Sequence, residues 1–365
     1  MAVCLLLTST AYAGPPQVTA DAAVLLDWVT GTRLYDKAAD VRRHPASTTK
    51  IVTALVCLEY GNLTDVVKVS PLAASLGGAS MKLDPGDRFT LDQLLTGLLM
   101  VSGNDAALSI AEHVAGSQEG FARLMNIKAR ELGCTNSHFI NPHGFTAKGH
   151  MTTAYDLALL AREALRNRHF AAIVRTREEL VAFDRDQRML RNTNRLLWSF
   201  EGAEGVKTGT TDPAGKCLVA AATRDGHRLI AVVMHSDDRF GDAARLLDWG
   251  FDSSDLSRPL LRGQTARTVP VSGGAAPRVT LIAVQDLAVV VPAGQTAELS
   301  LVVPTALKAP VAAGELYGWA VATVGGVPAG TVALAAAEAV QVRPQGWLIR
   351  LAKFIWVVLA GARIM

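Results

Sequence analysis

The chain has 365 residues, half of them hydrophobic, which is enough to bury a large core and to form roughly two domains of about 150 residues each. Its net charge of +3 is small and scattered, which argues against nucleic-acid binding. Three cysteines, Cys57, Cys134 and Cys217, follow the first 13 residues, and we expect them to be small buried side chains. The chain has no Cys-x-x-Cys or His-x-x-x-His pattern, so we expect neither a metal site nor a cofactor.

The first 13 residues have the pattern of an export signal. A short apolar run ends in Ala11-Tyr12-Ala13, which is typical of a signal-peptide core and cleavage site. The basic segment that normally precedes such a core is missing, so either the start codon was placed too late or the signal is atypical. We expect a signal peptide over 1–13 and an exported mature protein that begins near Gly14.

The next predicted elements are a β-hairpin and a helix. Apolar residues over 22–28 and a second extended segment over 33–35 flank a turn. A helix is expected over 51–59, directly after Ser47 and Lys50. These two residues are three positions apart, so their side chains lie within reach of each other on a helical turn. No other lysine of the chain has a serine three positions before it.

Ser47 and Lys50 have the chemistry of a nucleophile and its base. A serine hydroxyl attacks poorly at neutral pH until a base takes its proton, and a lysine is such a base only where burial or another cation keeps it neutral. Pro45 precedes the turn and Ser47 opens it, so backbone N–H groups and the positive end of the helix dipole point towards the serine. A carbonyl oxygen attacked there gains its negative charge in front of donors.

A second motif follows the next predicted helix. The stretch 62–87 is polar and rich in Gly and Pro, which is typical of a loop or a small subdomain. An apolar helical pattern over 91–100 then ends just before Ser102 and Asn104, the only Ser-x-Asn of the chain. We expect Gly103 to take unusual dihedral angles in this turn. Further helices, separated by a turn at 141–144, are expected over 105–114, 118–132 and 153–165.

A third motif begins a set of strands. Lys207, Thr208 and Gly209 form the only Lys-Thr-Gly of the chain and open a predicted strand. Two more strands and a closing helix are expected over 216–223, 228–235 and 242–251. Strands at both ends of this region with helices between them predict an α+β fold, in which helices flank an antiparallel sheet and a mainly helical region is inserted.

The composition changes after about residue 255. Short runs rich in Val, Ala and Thr, separated by turns with Gly and Pro, predict a small all-β domain over 256–343 that serves as a spacer or binding module. Residues 344–365 combine Arg350 and Lys353 with large apolar side chains. Their uncharged run is shorter than the about 20 residues of a membrane-spanning helix, so we expect an amphipathic helix on the membrane surface. A terminal helix docked on the protein is the alternative.

The three motifs, each present once and in this order, resemble those of penicillin-binding proteins and serine β-lactamases. With Asp27-x-x-Thr30-Gly31 and the Asn-Pro-His-Gly turn at 141–144, the chain is similar to the D-alanyl-D-alanine carboxypeptidases, low-molecular-mass penicillin-binding proteins of serine peptidase family S11. The resemblance implies a catalytic domain over 14–255 that removes the terminal D-alanine from the pentapeptide stem of peptidoglycan. It also implies acylation by β-lactam antibiotics and a place on the outer face of the cytoplasmic membrane.

The resemblance assigns catalytic roles to four motif residues. It implies that Ser47 forms the acyl-enzyme and that Lys50 is the base that activates it. Ser102 would pass a proton towards the leaving group. Asn104 would hold the substrate amide. The side chains of Ser47, Lys50 and Ser102 are expected to share one cleft with Lys207 of the strand motif.

The resemblance assigns substrate binding to the strand motif. Lys207 and Thr208 would meet the terminal carboxylate, and repulsion from Lys207 would favour the neutral form of the base. Gly209 would let the substrate backbone approach closely. The backbone N–H groups of Ser47 and Thr210 would form the oxyanion hole.

Three other activities use the same motifs. A serine β-lactamase needs an added deacylation base, and we expect no Glu-x-x-x-Asn between Asn104 and Lys207 to supply one; the β domain and the tail also argue against this class. D,D-endopeptidases that cut cross-links usually lack the second domain. A penicillin sensor would stay acylated and hydrolyse nothing.

Three residues near the motifs receive no catalytic role. Arg239 could add positive charge near the pocket, but a surface arginine at a helix start is the favoured interpretation. His44 and His143 are interpreted as structural, because the mechanism needs no histidine.

Overall fold

The structure is a computed structural model that describes residues 14–183, 186–344 and 355. The chain divides into two compact units, residues 1–254 and 255–365. The predicted signal peptide lies outside the described residues, as does the predicted membrane helix apart from residues 344 and 355. In the part of the chain that is described, no helix is long and apolar enough to cross a membrane.

The first unit alternates a few strands with a long helical region. Its elements are, in chain order, β1 (Ala22–Asp27), β2 (Arg33–Lys37), a 3-10 turn (Ala46–Thr49), α1 (Lys50–Tyr60), β3 (Val66–Lys68), α2 (Pro71–Ala74), β4 (Arg88–Thr90), α3 (Leu91–Met100), α4 (Asn104–Ala115), α5 (Gln118–Glu131), α6 (Ala154–Ala164), α7 (Arg168–Arg175), β5 (Glu178–Phe183), β6 (Asp186–Arg191), α8 (Leu196–Ser199), β7 (Ala203–Thr211), β8 (Gly215–Arg224), β9 (His227–Ser236) and α9 (Arg239–Ser253).

A five-stranded antiparallel sheet joins the two ends of this unit. Its order is β2-β1-β9-β8-β7, because β1 pairs with both β2 and β9. Strand β7 stands at one end of that order and pairs with β8 alone among the described strands. The predicted antiparallel sheet is confirmed, and the third motif lies on an edge strand of that sheet.

Alternate residues of the sheet face two different hydrophobic cores. Val24 and Leu26 of β1 belong to a core that includes side chains of α1, α3, α4 and α6. Ala23 and Leu25 belong to a second core, with Leu247 of α9. This is the two-residue period of a strand that is buried on both faces. The sheet is therefore flanked by helices, as predicted.

Capping residues explain why several helix boundaries could be predicted. The Thr90 side chain accepts a hydrogen bond from the Gln93 N–H, and the Gln93 side chain accepts one from the Thr90 N–H, so a capping box starts α3. The side chains of Ser117 and Thr153 accept in the same way at the starts of α5 and α6. The observed bounds of these three helices lie within one residue of the predicted ones.

Two regions hold more structure than predicted. The stretch 62–87 contains β3 and α2, and β3 pairs with β4 in a two-stranded sheet. Between 165 and 203, where nothing was predicted, α7 is followed by the β5–β6 hairpin and α8. The hairpin strands pair only with each other among the described strands, and Leu180 and Met189 are more than half exposed. The hairpin buries Val181 and Leu190 in the core, but each strand also exposes an apolar residue next to the buried one, so the alternating pattern that reveals strands in a sequence is lost.

The second unit is an all-β domain, as predicted. Its strands are β10 (Ser254–Leu260), β11 (Thr265–Ser272), β12 (Arg278–Ala283), β13 (Leu287–Pro292), β14 (Glu298–Val302), β15 (Leu307–Lys308), β16 (Leu316–Val324) and β17 (Val327–Ala336). Six form a sheet in the order β14-β16-β17-β12-β11-β15, and β10 pairs with β13. Alternate residues of β12 and β13, such as Leu281 and Val289, fill its core.

Candidate active site

Ser47 lies in the 3-10 turn that leads directly into α1. Lys50, the first residue of α1, has its Nζ 3.0 Å from Ser47 Oγ. The predicted contact between the two side chains is therefore present. Ser47 is partly accessible, whereas the Lys50 side chain is fully buried. A ligand can thus reach the hydroxyl while the amine stays out of water.

Three oxygen atoms surround the Lys50 amine. Besides Ser47 Oγ, Nζ lies 2.7 Å from Asn104 Oδ1 and 2.6 Å from the carbonyl oxygen of His143. An uncharged amine has two N–H groups and one lone pair. In the structure Nζ is placed as the donor to Ser47 Oγ as well as to the other two oxygens. Once the amine is neutral, its two N–H groups satisfy the amide and carbonyl oxygens, which only accept, and its lone pair is free to take the Ser47 proton.

The turn at 141–144 packs against the backbone of Ala46, directly before the nucleophile. Gly144 has φ +90°, and a Cβ atom on it would lie 1.9 Å from the carbonyl oxygen of Ala46. Asn141 holds the turn, because its Oδ1 accepts from the Gly144 N–H at 2.7 Å. His143 contributes its backbone carbonyl, and its ring contacts Gln118 Oε1 at 3.2 Å. The Asn-Pro-His-Gly motif thus shapes the site through backbone and packing, in keeping with the structural interpretation of His143.

The second motif places its residues at the start of α4. Asn104 is the first residue of α4, and its Nδ2 donates to the carbonyl oxygen of Gly77 at 2.8 Å. The other Nδ2 hydrogen is left for a ligand. Ser102 is buried, and its Oγ has no hydrogen-bond partner among the described residues. A buried hydroxyl without a partner is costly, so a group that completes its hydrogen bonding gains free energy.

The turn of this motif differs from the prediction. Ser102, not Gly103, has the left-handed conformation, with φ +64° against −56° for Gly103. Gly103 is needed instead for close packing, because a Cβ atom on it would lie 2.8 Å from Asp105 Oδ1 and 3.1 Å from Met81. The expectation of unusual dihedral angles at Gly103 is wrong. The strained backbone conformation therefore lies on Ser102, the residue whose buried hydroxyl has no partner among the described residues.

Asp105 is a positioning residue that no motif of the sequence indicates. Its carboxylate is fully buried and accepts from the backbone N–H groups of Met81 and Leu83 and from the Ser80 hydroxyl. These bonds tie the loop at 77–83 to the start of α4, where Asn104 stands. The only sequence signal is an acidic residue in the first turn of a helix, which is common at surfaces.

The third motif runs along β7 past the nucleophile. A Cβ atom on Gly209 would lie 3.0 Å from the Ser47 backbone nitrogen and 3.0 Å from the Pro45 carbonyl oxygen. Only glycine therefore lets the strand and the 3-10 turn come this close. Thr208 is buried, and its Oγ1 lies 2.7 Å from Thr193 Oγ1, whereas Thr210 is exposed. The oxyanion-hole role of the Ser47 and Thr210 N–H groups stays a prediction.

Two buried lysines lie close enough to repel each other. Burial, followed by repulsion from Lys207, holds the pKa of Lys50 well below its usual range, although Asp105 opposes the shift. Burial also lowers the pKa of Lys207 to about 7, and the nearby Arg239 adds to the effect. The structure thus brings the helix motif and the strand motif together. Across the described residues, no group of three or more His, Cys, Asp or Glu side chains is arranged to hold a metal ion.

Comparisons with known proteins identify the family. A family model described as D-alanyl-D-alanine carboxypeptidase matches residues 9–238, more than half of the chain. The chain belongs to the D-alanyl-D-alanine carboxypeptidase family. A second model, the C-terminal domain of penicillin-binding protein 5, matches residues 256–342. The predicted family is confirmed.

Curated relatives and solved structures of carboxypeptidases agree with this family. The D-alanyl-D-alanine carboxypeptidase DacF of Bacillus subtilis is 39% identical over 264 residues, which are 70% of this chain and 68% of the relative. DacC of Escherichia coli is 36% identical over 322 residues, 83% of this chain and 80% of the relative. Penicillin-binding protein 5 of Haemophilus influenzae superposes with a TM-score of 0.80 at 30% identity, and the match covers 90% of this chain and 99% of that one.

Arg239 belongs to the carboxypeptidase cleft, and the interpretation as a surface arginine is wrong. Its Nη1 donates to the Gly209 carbonyl oxygen at 2.9 Å and to Thr210 Oγ1 at 2.8 Å. It is partly buried, and burial lowers its pKa. Nothing in the linear sequence shows that the first turn of α9 lies beside β7. The guanidinium adds a fixed positive charge next to the strand motif.

The expectation about a β-lactamase-type base needs a correction, because Glu163 and Asn167 do form a Glu-x-x-x-Asn. Glu163 Oε2 pairs with Arg166 Nη1 at 2.7 Å, and Asn167 Oδ1 accepts from two N–H groups at the start of α7. Both residues line a cavity with Leu55 and Glu59, five and nine residues after Lys50 along α1. None of the motif residues lines this cavity, so the structure does not place Glu163 or Asn167 with the nucleophile.

Proposed function

We propose that this chain is a serine D,D-carboxypeptidase that removes the terminal D-alanine from peptidoglycan pentapeptide stems. The observation that carries the proposal is the 3.0 Å contact between Ser47 Oγ and the buried Lys50 Nζ, beside a second buried lysine. A hydroxyl, a neutral amine and a cation in one cleft suit acyl transfer to a substrate that ends in a carboxylate. The same acylation by β-lactams follows from the same nucleophile.

The first step forms an acyl-enzyme. Lys50 takes the proton of Ser47, whose oxygen attacks the carbonyl carbon between the two D-alanines. Donors near the nucleophile, which we assign to the Ser47 and Thr210 N–H groups, stabilise the oxyanion. The C–N bond then breaks, and the leaving amine takes a proton through Ser102, whose hydroxyl has no other partner in the described structure. D-alanine departs, and the tetrapeptide stays as an ester on Ser47.

The second step hydrolyses the ester. A water molecule loses a proton to the base, attacks the ester carbonyl and releases the tetrapeptide, which regenerates the Ser47 hydroxyl. Lys207, Thr208 and Arg239 would hold the terminal carboxylate during acylation, and Asn104 would hold the substrate amide. The positive charges of Lys207 and Arg239 and the hydroxyl of Thr208, all at one edge of the sheet, support this assignment.

The test is a defined pentapeptide assay with the full chain. We expect release of one D-alanine per peptide and a mass shift of one acyl group on a peptide that contains Ser47. The Ser47→Ala variant should stay folded and lose both penicillin labelling and D-alanine release. A folded wild-type protein that releases no D-alanine would overturn the proposal.

The same assay separates the other activities. Turnover of penicillin much faster than of the peptide would indicate a β-lactamase. A stable penicillin adduct without peptide turnover would indicate a sensor, and cleavage of cross-linked dimers faster than of pentapeptides would indicate an endopeptidase. The Glu163–Arg166 pair and the helix-capping role of Asn167 argue against a β-lactamase.

We further propose that the protein is exported and held on the outer face of the cytoplasmic membrane. The signal-like segment 1–13 and the amphipathic composition of 344–365 support this location. Deletion of 347–365 should move the protein from the membrane to the soluble fraction, with penicillin labelling as a control for folding. Membrane association that survives the deletion would contradict the anchor.

A further inference from the structure

A cavity of about 980 Å³ adjoins the strand-motif end of the cleft. We name this cavity the arginine pocket. Its walls include Arg191, Arg195, Trp198, Arg239 and Phe240. Thr193 also lines this cavity, and its Oγ1 lies 2.7 Å from Oγ1 of Thr208, the threonine of the strand motif. Arg239 reaches the same strand through Gly209 and Thr210. The pocket is therefore continuous with the end of the cleft that meets the substrate carboxylate.

The charges of the pocket are only partly neutralised. Arg191 lies 3.4 Å from Glu178, but Arg195 and Arg239 form no ion pair with any residue that the structure describes. Both guanidinium groups lie over the Phe240 ring, 5.9 and 5.1 Å from its centroid. Repulsion from Arg195 also contributes to the lowered pKa of Arg239, after burial. Two cations held this close favour an anion between or beside them.

One carboxylate on the wall, Asp238, does not supply that anion. Its Oδ1 accepts from the Gly241 N–H at 3.1 Å, and its Oδ2 lies 3.9 Å from Arg245. Asp238 is thus committed to the start of α9. The flat side chains of Trp198 and Phe240 complete the walls, and such surfaces pack well against methylene groups.

A leaving D-alanine has only a methyl side chain, which needs little of this space. Resting on the carboxypeptidase function proposed above, we propose that the arginine pocket binds a second carboxylate, carried by the side chain of the leaving amino acid. The reaction is unchanged: the amide C–N bond breaks, the leaving amine takes one proton, and the acyl group stays on Ser47. The methylene groups lie on Trp198 and Phe240 while Arg195 receives the carboxylate.

The test uses three peptides that share one acyl group and end in D-Ala-D-Ala, D-Ala-D-Glu or D-Ala-D-Gln. For wild type we expect kcat/KM for release of D-Glu to exceed that for D-Gln about fivefold, the upper end of what one solvent-exposed ion pair contributes, because Arg195 is exposed. Arg195→Gln should bring this ratio to about one, and Arg195→Lys should keep most of it. Arg168→Gln, an exposed arginine of a different cavity, is the matched control and should keep the wild-type ratio.

The ratio is taken within each variant, so a general loss of activity does not affect it. A wild-type ratio near one, or a ratio that Arg195→Gln leaves unchanged, would overturn the inference while D-alanine release continues. Failure of wild type to cleave any of the three peptides would overturn the proposed function and this inference together.

Discussion

The turn below the nucleophile gives a sharp test of how the site is built. Gly144 has φ +90°, and an added Cβ atom would lie 1.9 Å from the Ala46 carbonyl oxygen and 3.0 Å from Thr49 Oγ1. Ordinary contact begins near 3.4 Å, so Gly144→Ala must move one of the two backbones by about 1.5 Å. Ala46 precedes Ser47 directly, and the movement displaces the nucleophile.

A nearby glycine supplies the matched control. Gly149 has φ +86°, but no atom lies within 4 Å of the position that its Cβ would take. Gly149→Ala should therefore lower the free energy of unfolding only by the strain of a left-handed alanine, about 1–2 kcal/mol. Gly144→Ala has the same strain and the steric clash in addition. A misplacement of about 1 Å at a reacting atom is enough to slow the chemical step by about 10²-fold.

The assay compares the two variants in parallel. Urea unfolding gives the free energy of unfolding, and the rate of covalent labelling by a fluorescent penicillin reports acylation of Ser47. We expect Gly149→Ala to label at the wild-type rate and Gly144→Ala to label about 10²-fold more slowly, at temperatures where both are folded. Equal labelling rates for the two variants would refute the view that Gly144 sets the position of the nucleophile.

Three further variants test the charges. Lys50→Ala should slow penicillin acylation by about 10²–10⁴-fold, the usual contribution of a general base, and an unchanged rate would show that Lys50 is not the base. Arg239→Gln removes a cation that lowers the pKa of Lys207, so the pKa of Lys207 should rise above about 7. The pH at which kcat/KM falls on the alkaline side should therefore increase. An unchanged alkaline side of the pH profile would contradict this coupling. Burial raises the pKa of Asp27, but hydrogen bonds from His227 and a neighbouring threonine outweigh burial and lower this pKa overall. The ionised carboxylate therefore stabilises the folded protein above about pH 4, and this stabilisation is lost at lower pH. Asp27→Asn should therefore cost about 1–3 kcal/mol at pH 7 and less below pH 4 in urea unfolding, and a cost that does not depend on pH would contradict this assignment.

The contacts that could be predicted from the sequence are local ones. Ser47 and Lys50 are three residues apart, and helical geometry alone brings their side chains together at 3.0 Å. Buried strands such as β1 and β9 have continuous apolar runs, and α3 has its capping residues in the sequence. Each of these features depends on neighbours a few positions away, so a single chain without its fold already contains the information.

The missed features depend on residues that are distant in the chain. Arg239 meets Gly209 across 30 positions, and Asp105 holds the loop that contains Met81 across 24 positions. The left-handed turn fell on Ser102 and not on Gly103, because packing against Met81 and Asp105 decides where glycine is required. The role of a charged residue or a glycine therefore cannot be assigned from the sequence alone when it depends on contacts with distant residues.

Burial is the main reason why the base stays neutral in the free site. It lowers the pKa of Lys50, whose amine lies against a hydroxyl and two acceptor oxygens, and repulsion from Lys207 adds to the effect. Lys207 itself has a pKa of about 7, so a substrate carboxylate bound beside it favours its protonated form. The carboxylate thus completes the charge of the cation that binds it, while its own negative charge offsets the repulsion that this cation exerts on Lys50. Replacement of the terminal carboxylate by a neutral amide should therefore weaken binding and raise KM; an unchanged KM would show that Lys207 does not bind the carboxylate.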